Sequence, residues 1–224
     1  MIPTHVGIVP DGNRRYARGV GLSKADAYRL AARKAVEVIG WCLDLGVEHV
    51  SAFGVSQENI ALRPREEIEV LHDALLRFCE DVSALPDVRL HLFGDIDGLP
   101  RDITASARLV ALSERTDTGP ARLVAHVGIN YSAQAEVDHV LRAVRSHGAD
   151  AVALSPGQYL LSAGVPPVDL VVRTGGQQRL SGFLPFQTAY AELWFTETLW
   201  PEIARPEFEH AVAWYGRQER RMGE

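Results

Sequence analysis

The chain has 224 residues, 46% of them hydrophobic, which suits one domain of ordinary size with a core of its own. Its formal net charge is −6 and no tract of five basic residues occurs, so no nucleic-acid partner is expected. Only two cysteines, Cys42 and Cys79, are present, both in apolar helix-like patterns, and neither Cys-x-x-Cys nor His-x-x-x-His spacing appears; a disulfide framework and a structural zinc site are not expected.

In chain order, strand-like apolar runs recur at Val6 to Val9, Val50 to Val55, Val88 to Phe93, Leu123 to Ile129 and Leu170 to Val172. Several are apolar on both faces, as parallel strands covered on each side are. Helix-length amphipathic stretches lie between them. Ser23 and Asp26 have the spacing of a capped helix start; Tyr28, Ala31, Ala35, Val38, Ile39, Cys42 and Leu45 then form a stripe, and Gly46 ends it. A second helix is expected after Arg63-Pro64, with Ile68, Leu71, Leu75 and Phe78 on one face. Further helices are expected near 101–113, 133–147 and 206–219, with a short one from Ser155 to Ala163. The alternation predicts an α/β fold: one domain, 1–224, with a central mostly parallel sheet flanked by helices. No linker or internal repeat divides it. No signal peptide and no apolar run of ~18 residues is present, so a cytoplasmic protein without stable membrane insertion is expected.

Ligands of such sheets bind at the carboxyl ends of the strands. After the first strand comes Asp11-Gly12-Asn13-Arg14-Arg15, after the second Ser56-Gln57-Glu58-Asn59 and then Arg63, and after the last Arg173-Thr174-Gly175-Gly176-Gln177-Gln178-Arg179. Each alone reads as a solvated turn; together they would line one mouth. Gly12 lets the backbone approach a ligand, the helix start favours an anion, and arginine forks match phosphate oxygens. Neither the P-loop nor the dinucleotide glycine pattern is present. Two arginine-bearing loops point to two phosphorylated groups, or to one diphosphate held from both sides. Asp11 would repel phosphate unless Mg2+ stood between them. Glu192 is either a second acid sharing that metal or an ordinary surface carboxylate.

The segments "HVGIVPDGNRRYARG", "SQEN...RP", "DLVVRTGGQQRLSGFLPFQTAYAELWFTETLWPE" and "ERRMG", in this order over nearly the whole chain, resemble the cis-prenyltransferases, the undecaprenyl diphosphate synthase family. The resemblance implies a homodimeric, Mg2+-dependent prenyltransferase. Asp11 would serve the metal together with Glu192, while Asn13, Arg14 and Arg15 hold an allylic diphosphate. Arg173, Arg179 and Ser181 would hold a second diphosphate. Asn59, Arg63 and Glu67 would stand near the reacting centre. Arg221 and Gly223, in a carboxy-terminal Arg-x-Gly, would reach the diphosphates from the neighbouring subunit.

The chain also departs from the family's pattern. The usual Gly-His reads Ala27-Tyr28, and the usual Phe-Ser-x-Glu-Asn-Trp reads Val55-Ser56-Gln57-Glu58-Asn59-Ile60, with one extra residue before Arg63. Asn-Tyr-Gly-Gly-Arg reads Asn130-Tyr131-Ser132-Ala133-Gln134, and Gln177-Gln178 replaces an acid-containing pair. The first replaces a diphosphate-side histidine, and the lost aromatic pair would, by the resemblance, have lain near the second substrate. The reading favoured from these departures is irregular head-to-middle coupling of an allylic diphosphate, dimethylallyl or geranyl, to dimethylallyl diphosphate, as lavandulyl-type members do, with ring closure open. Its rival is regular elongation with isopentenyl diphosphate. The helix after Arg63 looks short, which points to a product of two or three isoprene units. A silent partner subunit is disfavoured by Asp11, Arg15, Glu192 and the Arg-Met-Gly ending. Tyr28, Ser56, Asn59 and the released diphosphate are the candidates for the final proton acceptor.

Overall fold

Strands that are apolar on both faces need cover on both faces, and the fold supplies it. A computed structural model of the chain describes residues 1–113, 120–147 and 156–219. Six strands, β1 (His5–Val9), β2 (His49–Ser56), β3 (Val88–Phe93), β4 (Leu123–Tyr131), β5 (Leu170–Arg173) and β6 (Glu192–Phe195), form one sheet in the order β3-β4-β2-β1-β5-β6. Every pairing is parallel, so the mostly parallel sheet expected is a wholly parallel one. The five apolar runs all become strands. The sixth strand is four residues long and opens on a carboxylate, too little pattern to define a strand without its neighbour β5.

The described helices are α1 (Asn13–Val20), α2 (Lys24–Leu45), α3 (Gln57–Leu62), α4 (Arg65–Ser83), α5 (Thr104–Ser113), α6 (Ala133–His147) and α7 (Arg205–Tyr215). The Ser23 hydroxyl accepts from the Asp26 N–H at 3.1 Å and starts α2; Gly46, at φ 81°, ends it. Pro64 is the N-cap of α4, one residue outside the helix. A 3-10 turn, Pro156–Tyr159, replaces the short helix expected from Ser155, which itself lies outside the described residues. Helix α3 was not foreseen, because it buries none of its residues and so carries no apolar stripe. What starts it is Ser56, whose Oγ accepts from the Asn59 N–H at 3.2 Å.

One face of the sheet, with Val6, Ile8, Val50, Ala125, Val127 and Val172, packs against α2 and α4. Each such side chain contributes about 1.5–3 kcal/mol when fully buried. Cys42 and Cys79 lie in this layer as free thiols, pushed up in pKa by burial, which supports their reading as small apolar residues. The other face carries Val9, Phe93, Tyr131 and Val171, covered by Val165, Val168, Phe183 and Leu184 from the segment between the 3-10 turn and β6.

Further down that second face runs a row of histidines from β1, β2, β4 and β3. His91 Nδ1 lies 2.8 Å from His126 Nδ1, and His126 Nε2 lies 3.1 Å from His49 Nδ1. His5 packs its ring against His49 and His126 and bonds Ser51 Oγ through Nε2 at 2.8 Å. Burial is the chief reason all four rings titrate below the ordinary histidine range, His5 at about 4 and His126 at about 2.

Candidate active site

Parallel strands bring the ends of β1 and β5 side by side, with Val9 opposite Arg173. The loops leaving them therefore meet. Asp11 Oδ2 accepts from Arg173 Nη2 at 3.0 Å, and Asp11 Oδ1 accepts from Arg15 Nη2 at 3.3 Å. The same Arg15 nitrogen donates to the Gly175 carbonyl at 2.7 Å. Arg173 is 4% exposed; its Nη1 donates to Ser181 Oγ at 3.0 Å and to the Arg179 carbonyl, and its Nε is buried without a partner. Asp11, Arg15, Arg173 and Ser181 thus form one hydrogen-bonded unit, although the resemblance had assigned them to two separate diphosphates.

The backbone of Asp11 is fixed as firmly as its side chain. Thr174, fully buried, accepts from the Asp11 N–H at 3.0 Å and donates to the Asp11 carbonyl at 2.9 Å through the same Oγ1. The Trp200 N–H donates to that carbonyl as well, at 2.9 Å, while its indole N–H holds the Ala31 carbonyl of α2 at 3.0 Å. Two glycines make the approach feasible. Gly12 has φ 108°, and a Cβ there would meet Leu199 at 2.8 Å. Gly175 has φ 82°, and a Cβ would press on the Asp11 carbonyl at 3.0 Å.

A second unit stands where α2 faces α4. Arg63 Nη1 donates to Tyr28 Oη at 2.7 Å, and Tyr28 Oη donates to Glu67 Oε1 at 2.7 Å. Arg63 also stands 3.6 Å from Glu67 Oε1, and Lys24 binds Glu67 Oε2. Burial first, and the Glu67 bond second, push the Tyr28 phenol up to about 12, so it keeps its proton at neutral pH. Burial acts to raise Glu67 too, but hydrogen bonds from Lys24 and Tyr28 and the charges of Lys24 and Arg63 outweigh it and hold the carboxyl below its ordinary range. Ser56 and Asn59 close the group, with Asn59 Nδ2 donating to Ser56 Oγ at 2.8 Å.

Between the two units opens a cavity of about 570 Å3. Its rim holds Asp11, Asn13, Tyr28, Ser56, Asn59, Arg63, Arg173 and Ser181; its depth is walled by Ala31, Ala35 and Ile39 of α2, Leu71, Leu75 and Phe78 of α4, and Val50 and Val127 of the sheet. On a scale where one water takes about 30 Å3, a five-carbon unit takes roughly 100–150 Å3, so the space suits a few isoprene units rather than a long polyprenyl chain.

Three expected site side chains fall elsewhere in the chain. Glu192 opens β6 opposite Leu170, and its N–H donates to the Asp169 carbonyl at the foot of the sheet. Asp11 follows the top of β1, three or more strand residues away, so at least ~10 Å of strand rise separates the two within one chain. Within one chain, therefore, the structure does not bring the two expected metal acids together. Arg179 gives the site its carbonyl, while its guanidinium is exposed and donates to Gln177 Oε1 at 2.6 Å. Arg14 is exposed on α1, its charge acting on Tyr28. Arg221 and Gly223 lie outside the described residues. Lys24, Thr174 and Trp200 were missed. Lys24 stands one helical turn before Tyr28, and Thr174 lies between two residues already singled out; those positions were the signals available.

A hard cation held by Mg2+ chemistry takes one or two protein oxygens and leaves the rest to phosphate and water. Asp11 offers a carboxylate at the rim, and nearby Asn13 Oδ1 is buried with no hydrogen-bond partner. This donor set fits Mg2+. Among the described residues no three His, Cys, Asp or Glu side chains gather for an all-protein metal cage.

A family model described as putative undecaprenyl diphosphate synthase matches residues 9–223. An isoprenyl transferase of Thermus thermophilus is 35% identical, over 99% of this chain and 89% of the relative. A short-chain Z-isoprenyl diphosphate synthase of Mycobacterium leprae is 34% identical, over 99% and 88%. Among solved structures, lavandulyl diphosphate synthase from Lavandula x intermedia superposes with a TM-score of 0.84 at 23% identity, covering 100% of this chain and 99% of the other, a likeness of fold. A probable undecaprenyl diphosphate synthase from Campylobacter jejuni gives 0.72 at 25% identity, covering 99% of each. The fold and the matched relatives define an enzyme of the prenyltransferase class. The chain belongs to the undecaprenyl diphosphate synthase family, the cis-prenyltransferases.

Proposed function

We propose that this chain is a short-chain prenyl diphosphate synthase. It ionises a five- or ten-carbon allylic diphosphate at the Asp11–Arg173 rim and joins the cation to a second isoprenoid diphosphate. The observation that carries this reading is the apolar cavity of about 570 Å3 directly beneath that rim. Arg15 and Arg173 stabilise charge building on the departing diphosphate, and the buried Nε of Arg173 is a donor still awaiting an acceptor. Mg2+, held through Asp11 and Asn13, supplies further charge neutralisation when bound. The alanine-rich wall keeps water from the cation.

Regular head-to-tail addition of isopentenyl diphosphate is supported by the isoprenyl transferases at 34–36% identity over nearly the whole chain. Irregular head-to-middle coupling to dimethylallyl diphosphate is the second reading. The observation in its favour is Tyr28, which stands where the family's histidine is expected and ties up Arg63 and Glu67. We further propose a homodimer, for which the exposed Val137, Leu141 and Val144 along α6 supply an apolar stripe.

The test is incubation of purified protein with Mg2+ and dimethylallyl diphosphate, with and without isopentenyl diphosphate, followed by product analysis. Linear short cis chains formed only with isopentenyl diphosphate establish regular addition. A branched or cyclic ten-carbon product from dimethylallyl diphosphate alone establishes the irregular reaction. No release of diphosphate from either mixture, or from geranyl diphosphate, overturns the proposal.

A further inference from the structure

Carbon–carbon coupling leaves a positive charge on a tertiary carbon, and a proton must leave the neighbouring carbon before water arrives. The rim offers few groups for this. Ser56 Oγ accepts from Asn59 Nδ2, and among the described residues neither is hydrogen-bonded to a carboxylate that could take a proton onward. Tyr28 is different. It is 6% exposed, lines the cavity, and its Oη donates to Glu67 Oε1 at 2.7 Å while accepting from Arg63 Nη1 at 2.7 Å. Glu67 in turn is reached by Lys24, whose side chain is 61% exposed. A hydrogen-bonded line therefore runs from the cavity wall to solvent.

We propose that Tyr28 and Glu67 form the proton-exit relay of the coupling reaction, an inference that rests on the prenyl-coupling reading above. As the second substrate's double bond attacks, the new C–C bond forms and the charge moves to the tertiary carbon. The electron pair of an adjacent C–H bond then becomes the new double bond. That proton passes to Tyr28 Oη while the phenol's own proton passes to Glu67 Oε1. Glu67 later releases it to water beside Lys24, and the phenol is already reset.

Each contact has a role in this sequence. A carbocation's neighbouring C–H is so acidic that a phenol oxygen suffices as acceptor, provided its own proton has somewhere to go. Glu67 is ionised and supplies that place. Arg63, on the same oxygen, stabilises the phenolate character that develops in passing. Lys24 and Arg63 together keep the buried carboxylate charged between turnovers. The relay serves either mode of coupling, since both end in loss of a proton next to a tertiary cation.

Tyr28→Phe removes the oxygen and keeps the ring; Glu67→Gln keeps the cavity wall and removes the proton's destination. Wild type and both variants are compared with Mg2+, dimethylallyl diphosphate and isopentenyl diphosphate, measuring released diphosphate and coupled product separately. The expected result is a fall of about 100-fold in normal product formation with little change in KM for the allylic diphosphate. Diphosphate release should fall less than product, and the balance should appear as water-trapped alcohols or double-bond isomers. Tyr28→His, which restores an acceptor at the same place, should recover the normal product. Circular dichroism and melting temperature confirm that the variants fold. Normal product at wild-type rate in Tyr28→Phe would assign the proton to the released diphosphate and overturn the relay, as would an equal fall in ionisation and product with no aberrant species. An inactive wild type would instead overturn the coupling reading.

Discussion

At the carboxyl ends of β1 and β5, Asp11 lies between two guanidinium groups, one buried and one half exposed. Lower on the same sheet, His5, His49, His126 and His91 touch ring to ring, and among the described residues none of these rings is hydrogen-bonded to a carboxylate. The two regions are built from similar strands, yet they treat charge in opposite ways. The rim sets opposite charges against each other and leaves a donor free for a ligand. The histidine row drives charge out, and its ring nitrogens meet one another, the Ser51 hydroxyl or backbone carbonyls. A functional site holds charge ready to be shared; a structural polar cluster holds none.

The contrast can be tested by asking which property each region loses. Asp11→Asn should have the largest effect: turnover falls about 1,000-fold or more, while the melting temperature moves less than in Asp11→Ala, because the amide oxygen still accepts from buried Arg173. Survival of activity in excess Mg2+ would remove Asp11 from the site. Thr174→Val comes next. Losing the hydroxyl that clamps the Asp11 backbone should lower kcat by roughly 10- to 100-fold at nearly constant substrate KM, with Thr174→Ser close to wild type.

The histidine row should respond through stability. Neutral in the fold at pH 7 and ready to protonate when unfolded, such a histidine adds nothing above pH 6.5; as pH falls toward its depressed folded value, the unfolded chain gains protons that the fold refuses. His5 and His126 should each cost roughly 2 kcal/mol of stability by pH 5. Denaturant titrations at pH 7 and pH 5 measure this, and His126→Gln should shrink the difference while leaving kcat at pH 7 within about twofold. If the difference were unchanged, the row would not be the acid-sensitive element. The smallest effect is expected from Ala35→Leu, which fills part of the cavity wall; it should shift product toward the shortest species by a few-fold, read by chromatography of the dephosphorylated products.

Much of this was legible in the chain itself. Doubly apolar runs announced a parallel sheet, Ser23 and Gly46 marked the ends of α2, and the loops after β1 and β5 meet at one mouth as their place at strand ends implied. What stayed hidden depends on register. Glu192 is an acid in a suggestive motif, but only the pairing of Leu170 with Glu192 reveals that it sits at the foot of the sheet. Arg179 carries the right side chain, yet the turn aims its carbonyl inward and its guanidinium out. The Tyr28–Arg63–Glu67 group joins residues from two helices whose packing no local pattern specifies. Thr174 looked like a spacer between an arginine and a glycine pair because its use lies across the fold.

The grip on Asp11 also has a consequence for how the protein comes into being. Asp11 is made well before the groups that hold it: the hydroxyl that fixes its backbone lies 163 residues later, and the Trp200 amide later still. Contacts so distant in sequence form late, after the cost of closing a long loop has been met. A nascent or truncated chain that had assembled β1 to β4 would carry the signature loop in full view and still have no competent site. Activity in this enzyme reports the last contacts of folding rather than the first.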